Sequence, residues 1–301
     1  MNTSTERKQG IFFAISGVLV LSFDSLLIRL IDADGADVTF WRGILVLLSA
    51  GSICYLRRHH IAWPTTPRLW LMGLTSAALY GFNSLLFVFA INNTHVANAL
   101  VILASSPLFA AGLAWLAFRE STPRRTLIAI GFAIAGVLIV FSSTLGQPGQ
   151  LGDLLALILA VCMALSLTLL RRMPELPRLP LVAGSGIFSV LLSWPFASPL
   201  QLESASYGWL AIMGLVQIPL ATQLIFSATR YLPPAEVSLF LLIETILGPL
   251  WVWWILGEQM PGPTLLGGSL VVGAIVFNTL ISLRQYRQQS NRQPPDLPPH
   301  S

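Results

Sequence analysis

Residues 233–258 read PPAEVSLFLLIETILGPLWVWWILGE, and this stretch decides how we read the rest of the chain. Between Val237 and Leu256 it is apolar enough to cross a bilayer, yet this part contains one carboxylate, Glu244, about 10 residues or roughly 15 Å into the span. An acid at that depth costs about 2.5 to 3.5 kcal/mol, so it usually faces a cavity, takes up a proton or has a partner. Gly248 and Pro249 follow about one turn later and favour a bend. The stretch therefore predicts a bent membrane helix with a buried acid.

The composition of the whole chain indicates the same environment. Of the 301 residues, 54% are hydrophobic and only 10% are charged, whereas soluble domains are roughly 25% charged. The formal net charge is +4, but the basic residues are spread over short connections and form no basic face. These numbers predict a polytopic membrane protein that contacts the lipid bilayer and does not bind nucleic acid.

The hydropathy pattern predicts ten transmembrane helices and no strands, so the predicted fold class is an all-α membrane protein. Fifteen of the 17 Lys and Arg residues lie on one side of these spans, which predicts that both termini are cytoplasmic. We expect cytoplasmic residues 1–9 before the first span and a disordered cytoplasmic tail at 284–301. The predicted helices cover 10–31, 37–56, 69–91, 95–118, 125–143, 151–171, 180–198, 207–229, 235–256 and 263–283.

The two halves of the sequence resemble each other. Placing Glu120 on Glu258 aligns SSPLFAAGLAWLAFRE with ETILGPLWVWWILGE, and an offset near 142 residues places Gly10 on Gly152. Each half has five predicted helices, an odd number, so the copies would have opposite orientations in the membrane. We therefore predict a first repeat at 10–143 and a second, inverted repeat at 151–283, an arrangement typical of secondary transporters.

These motifs, together with Arg42 in the second helix, resemble those of the EamA-type carriers of the drug/metabolite transporter superfamily. The resemblance covers essentially residues 10–283. It implies a five-plus-five inverted repeat around a central cavity, with the fifth and tenth helices at the periphery. It also implies transport of metabolites such as amino acids, in many members as export.

Charged residues inside the spans are the first candidates for a site. Asp24 and Arg42 lie at similar depth in the first two helices, which permits a salt bridge. The pair would either fix the two helices together, or form a gate or a binding group for a zwitterion. Arg29 is expected to pair with Asp32 or Asp34, and His95 is expected to be a surface loop residue.

Uncharged polar and aromatic residues at mid-depth are the second group of candidates. Each has two readings, because hydroxyl and amide groups also bond their own helix or a neighbouring helix, and Trp is common at membrane interfaces. We expect these residues to contact solute alongside Glu244: Tyr80, Asn83, Ser105, Ser106, Gln217 and Trp251.

The sequence contains no Walker loop, no HExxH, no GxSxG and no Cys/His cluster at metal spacing. We therefore expect no enzyme, no metal and no cofactor. The predicted function is a secondary transporter, in the direction of export, of small polar or amphipathic metabolites such as amino acids in the cell inner membrane. The alternative is a membrane receptor or scaffold that binds a solute without moving it. Coupling to protons and pairing into a homodimer are left open by the sequence.

Overall fold

The described part of the chain is entirely helical. The computed structural model describes residues 3–61, 66–118, 123–142, 144–171, 176–232 and 234–290. Within these ranges the α-helices are α1 (Thr3–Leu21), α2 (Asp24–Ile31), α3 (Gly35–Leu56), α4 (Pro67–Asn93), α5 (Val96–Ala104), α6 (Ser106–Phe118), α7 (Arg124–Ser142), α8 (Gln150–Arg171), α9 (Arg178–Ser193), α10 (Ser204–Ala211), α11 (Ile218–Ala228), α12 (Pro234–Leu256) and α13 (Gly262–Ser290).

Helical structure is found in all ten predicted segments. Eight stretches are long and apolar enough to cross a membrane, and two shorter apolar helices lie at Thr126–Ser142 and Phe240–Leu256. The all-helical, multi-pass fold class is thus confirmed for the described residues, while ten crossings and cytoplasmic termini stay predictions.

Three predicted helices are interrupted. The first is divided at Ser22 and Phe23 into α1 and α2, and the fourth is divided at Ser105, two residues before Pro107, into α5 and α6. The eighth contains a π-helical segment, Ile212–Gln217, between α10 and α11. Pro219 follows it, and because proline has no N–H and clashes with the carbonyl four residues earlier, a wider turn accommodates it. By contrast, α12 runs unbroken through Pro249.

Both chain ends extend their helices further than the hydropathy pattern predicts. Helix α1 begins at Thr3, within the predicted polar segment, and α13 continues to Ser290 instead of ending at residue 283. Arg and Gln are good helix formers, so they can extend a helix that apolar packing has started. The expected disorder is therefore wrong for residues 284–290, and 291–301 lie outside the described residues.

The connections at 32–34, 94–95, 144–149, 197–203 and 257–261 meet at one end of the bundle, which we call the acidic end. Bonds between the two halves occur at this end: the Ser198 amide donates to Asp37 at 2.5 Å, and the Ser206 hydroxyl donates to the Ile31 carbonyl at 2.7 Å. The indole of Trp41 likewise donates to the Pro199 carbonyl at 2.9 Å. The two halves are thus fastened together at the acidic end.

Close glycine contacts show how the two halves are related. A Cβ on Gly43 would lie 2.8 Å from the Gly186 carbonyl, and a Cβ on Gly186 would lie 2.6 Å from the Gly43 carbonyl. Gly136 and Gly267 make the same reciprocal contact at 2.6 and 2.5 Å. The offset near 142 residues places Gly43 within one residue of Gly186, so their reciprocal approach is what a two-fold rotation between α3 and α9 requires.

The aligned pair Gly10 and Gly152 extends this relation to both ends of the bundle. Gly10 packs against Tyr231 and Leu232, while Gly152, at the acidic end, packs against Asn93 and Thr94. The offset of the Glu120–Glu258 alignment carries 93 and 94 onto 231 and 232. Equivalent contacts therefore occur at opposite ends of the bundle, which supports the predicted inverted repeat.

Candidate functional site

The candidate site is built around the break between α1 and α2. The Ser22 hydroxyl donates to the Leu19 carbonyl at 2.7 Å, and the regular hydrogen-bond pattern stops there before α2 starts at Asp24. A break inside a membrane-spanning stretch leaves backbone groups that need other partners, because lipid offers none. Polar residues from three other helices meet at this point.

Asp24 and Arg42 form a buried ion pair. Arg42 Nη1 lies 3.2 Å from Asp24 Oδ1, and Arg42 Nη2 lies 2.8 Å from Asp24 Oδ2. The Arg42 side chain is only 14% exposed and that of Asp24 only 4%. The Arg42 guanidinium carbon lies 5.6 Å from the centre of the Phe87 ring. The salt bridge that the matching depths permit is therefore present, in the two-pronged geometry that Arg and carboxylate favour.

Glu244 brings a second carboxylate to this pair. The half-buried Glu244 lies within electrostatic range of both Asp24 and Arg42. It makes no hydrogen bond or ion pair with any other residue that the structure describes. Since Arg42 already binds Asp24, the group contains two acids and one base, and one acid has no direct partner.

Helix α12 presents Glu244 on the face that packs against the break. Gly248 lies one turn later on this face, and a Cβ there would be 2.5 Å from Leu100 and 3.1 Å from the Ser25 hydroxyl. The opposite face carries Pro249, which lines an apolar groove of about 400 Å³ with α5 and α13. The small residue therefore allows α12 to approach the break closely, and Pro249 points away from it.

Gln217 and Trp251 contact the break in the first helix. Gln217 Nε2 lies 3.3 Å from the carbonyl oxygens of both Val20 and Leu21. The Val20 carbonyl also accepts a 3.4 Å bond from the Phe23 amide within the break. The Trp251 indole donates to the Ser22 hydroxyl at 2.9 Å, and its ring stacks on Phe23 at 4.8 Å between centroids. The structure thus brings Asp24, Arg42, Glu244, Gln217 and Trp251 into one region.

The other predicted solute-contacting residues are placed differently. Asn83 donates to the Ser166 hydroxyl at 2.9 Å and so connects α4 to α8, and Tyr80 lies within electrostatic range of Arg178, at the start of α9. Ser105 is fully buried and donates to the Ile102 carbonyl in its own helix at 2.5 Å. Ser106 is also buried. None of these four makes a described bond to the charged group.

Arg29 differs from expectation, whereas His95 is an exposed loop residue as predicted. Arg29 pairs with Glu258 at 3.0 Å and donates to the Thr94 carbonyl at 2.8 Å, so the predicted pairing with Asp32 or Asp34 is wrong. His95 is about half exposed, and its Nδ1 lies 3.5 Å from Glu258. The distant Glu258 competes successfully because the connection between α12 and α13 folds over the start of α5.

Sequence reasoning did not identify several residues of the site. Ser22, Phe23 and Ser25 surround Asp24, and the Ser25 hydroxyl is buried without a hydrogen-bond partner among the described residues. A run of three polar residues within four positions of an apolar helix was a readable signal of a break. Phe87 offered no such signal, because one Phe in an apolar helix looks like any other.

The described residues contain no group of three or more His, Cys, Asp and Glu side chains placed to bind a metal. The EamA-like transporter family model matches residues 8–142 and again residues 150–280. The chain belongs to the EamA-like transporter family. Membership indicates a membrane transporter of small solutes, and the two matched stretches are two EamA repeats that account for the resemblance between the halves.

Solved structures share the fold of this EamA-like chain. One, described only as "Crystal structure of protein", superposes with a TM-score of 0.61 at 15% identity, covering 90% of this chain and 98% of its own. At that identity the likeness concerns the fold alone. A comparison with curated proteins finds no match.

Proposed function

We propose that this EamA-like transporter is a secondary carrier that exports small zwitterionic metabolites such as amino acids across the cell inner membrane by alternating access. The acidic end faces outward, as the positive-inside distribution of Lys and Arg favours. Export is the direction that the family resemblance favours. The two repeats would move against each other about the site at the break between α1 and α2.

The observation that supports a solute site is the carboxylate of Glu244, which has no hydrogen-bond or ion-pair partner among the described residues and lies near the Asp24–Arg42 ion pair. A bare charge in this environment is costly, so a carboxylate without a partner is suited to bind a cation or a proton. An amino acid provides an ammonium group for Glu244 and a carboxylate for Arg42. Phe23, Phe87 and Trp251 provide the apolar surface that an amphipathic solute needs next to its charged groups.

Glu244 also offers a route to proton coupling. If the solute's ammonium group and a proton compete for Glu244, the carboxylate is neutralised by one or the other whenever the transporter changes between its two open states. Proton entry then accompanies solute exit, because each releases the other. Without such competition the same fold would act as a uniporter.

The test uses purified protein in liposomes with a panel of labelled amino acids and other small metabolites, with and without an imposed pH gradient. The expected result is uphill movement of at least one zwitterion only when the gradient is present. Glu244→Gln is expected to abolish the uphill movement while downhill exchange continues, because the amide has no proton to release. The matched control is Glu203→Gln, an exposed acid at the acidic end, which is expected to transport like the unchanged protein.

Two results would contradict the proposal. Uphill transport by Glu244→Gln would show that the coupling group lies elsewhere. Binding of a panel solute at the site without any flux, measured by equilibrium dialysis alongside the transport assay, would favour a receptor over a carrier.

A further inference from the structure

The acidic end contains a second charged assembly, separate from the solute site. We infer that Asp153 and Glu258 form a clamp that closes the acidic end by holding the start of α5. The clamp consists of these two carboxylates from the second repeat and their partners Arg29, Thr94, Val96 and Asn98 from the first repeat. Its role rests on the proposed transport cycle, in which one end of the bundle must close when the other opens.

Asp153 is the buried half of the clamp. The Asp153 side chain is fully buried, and it accepts hydrogen bonds from the Thr94 hydroxyl at 2.6 Å and from Asn98 Nδ2 at 3.2 and 3.3 Å. The Thr144 hydroxyl adds a bond at 2.6 Å. The Thr264 hydroxyl in turn donates to the Asn98 side-chain oxygen. Three side chains, Thr94, Asn98 and Thr144, thus donate hydrogen bonds to the buried carboxylate, as a buried charge requires.

Glu258 is the partly exposed half. One carboxylate oxygen accepts from the Val96 amide at 2.8 Å, and so caps the first turn of α5. The other oxygen pairs with Arg29 at 3.0 Å, and Arg29 also donates to the Thr94 carbonyl at 2.8 Å. Glu258, which lies between α12 and α13, therefore binds both the end of α2 and the start of α5.

The inverted repeat provides a comparison for Asp153 within the same molecule. The Gly10–Gly152 alignment places Ile11 at the position equivalent to Asp153, and the packing partner equivalent to Thr94 is Leu232. Ile11 packs in an apolar cluster with Leu232. Since an apolar side chain satisfies the fold at this position, packing alone does not require the acid. The comparison concerns Asp153 alone: among the described residues, its buried acid and polar partners correspond to the apolar pair Ile11 and Leu232 at the opposite end.

A gate needs contacts that cross between the moving parts and can be exchanged for water. The bonds of the clamp run from the second repeat to the first, and the charged groups recover hydration when the end opens. Buried apolar contacts between the repeats would have no such compensation. This makes Asp153 and Glu258 positioning residues that set the balance between the closed and open acidic end, without contact to the solute.

The test measures access to the solute site from each side and needs no solute. In protein with the two free cysteines, Cys54 and Cys162, changed to Ser, a reporter Ser25→Cys is labelled with a membrane-impermeant maleimide. Right-side-out and inside-out vesicles present the two ends in turn. Glu258→Gln and Asp153→Asn are each expected to raise the labelling rate from the acidic end by at least about threefold and to lower it from the other end, because loss of a clamp bond favours the open acidic end.

The matched control is Asp34→Asn, since Asp34 is an exposed acid at the same end and, among the described residues, accepts only from the Ala36 amide of its own repeat. It is expected to leave both labelling rates unchanged. If Asp153→Asn does not fold, Glu258→Gln and Thr94→Val carry the test. Unchanged rates in folded variants, or equal increases from both sides, would overturn the inference, since equal increases indicate loosened packing. The labelling rates do not depend on knowing the solute or on measuring flux. A failure of the proposed transport function can therefore be distinguished from a failure of the clamp.

Discussion

At the scale of single residues, the central site combines one satisfied and one unsatisfied acid. Asp24 has its charge neutralised by two hydrogen bonds to Arg42. Glu244 interacts electrostatically with both residues but forms no hydrogen bond to either. The pair therefore fixes structure, and Glu244 remains free to exchange partners. This division of roles can be tested by separating stability from transport.

Removing Arg42 should be far more damaging than removing the whole pair. Arg42→Met leaves Asp24 buried without its cation, and we expect a loss of about 3 to 5 kcal/mol in the free energy of unfolding. The double variant Asp24→Asn with Arg42→Met should recover most of that loss, yet not transport. Thermal unfolding in detergent and flux in liposomes measure the two effects. Equal stability of the single and double variants would show that the ion pair does not hold α2 and α3 together.

At the scale of helices, the sequence predicted where helices lie much better than where they break. Hydropathy identifies apolar stretches because burial in lipid depends on each residue's own transfer free energy. A break depends on whether distant residues can satisfy the exposed backbone, as Gln217 does for Val20 and Leu21. Charged residues inside apolar spans are visible in the sequence, so Asp24, Arg42 and Glu244 could be selected as candidates. The pairing of Arg29 with Glu258 depends on distant parts of the fold and could not be predicted.

Gln217 offers a test of the broken helix. Gln217→Leu removes the side-chain donor to the carbonyl oxygens of Val20 and Leu21, so we expect a loss of about 1 to 3 kcal/mol in unfolding free energy. Transport should fall as well, because Asp24 follows the break directly. Gln223→Leu, an exposed amide in the same stretch, is the control and should leave stability within about 0.5 kcal/mol. If both variants behave alike, side-chain bonding does not maintain the break.

At the scale of the whole molecule, the repeats meet through glycines as well as through charges. Gly136 on α7 and Gly267 on α13 allow backbone contact between the last helices of the two repeats. Small residues commonly permit such approach in membranes, where close packing replaces the hydrophobic effect as a source of helix association. The family resemblance implied that these two helices lie at the periphery.

Two glycines on the same helix separate packing from helix propensity. Gly136→Ala would place a methyl group 2.6 Å from the Gly267 carbonyl, so we expect destabilisation of about 1 to 3 kcal/mol. Gly131→Ala meets nothing within 4 Å, so we expect unchanged stability or a gain of about 0.5 to 1 kcal/mol. Unfolding measured by tryptophan fluorescence compares them. A loss of stability in Gly131→Ala equal to that in Gly136→Ala would contradict the close contact between α7 and α13.

The two-fold relation has a consequence for binding stoichiometry. Duplication supplies two equivalent copies of every position, yet the offsets of the aligned glycines and of Glu120 with Glu258 place uncharged residues opposite the charged ones. The residues equivalent to Asp24, Arg42 and Glu244 are Ser166, Gly184 and Ser106. A solute recognised by charge therefore finds one binding position in each chain instead of two. Titration with such a solute should saturate at a molar ratio of about one.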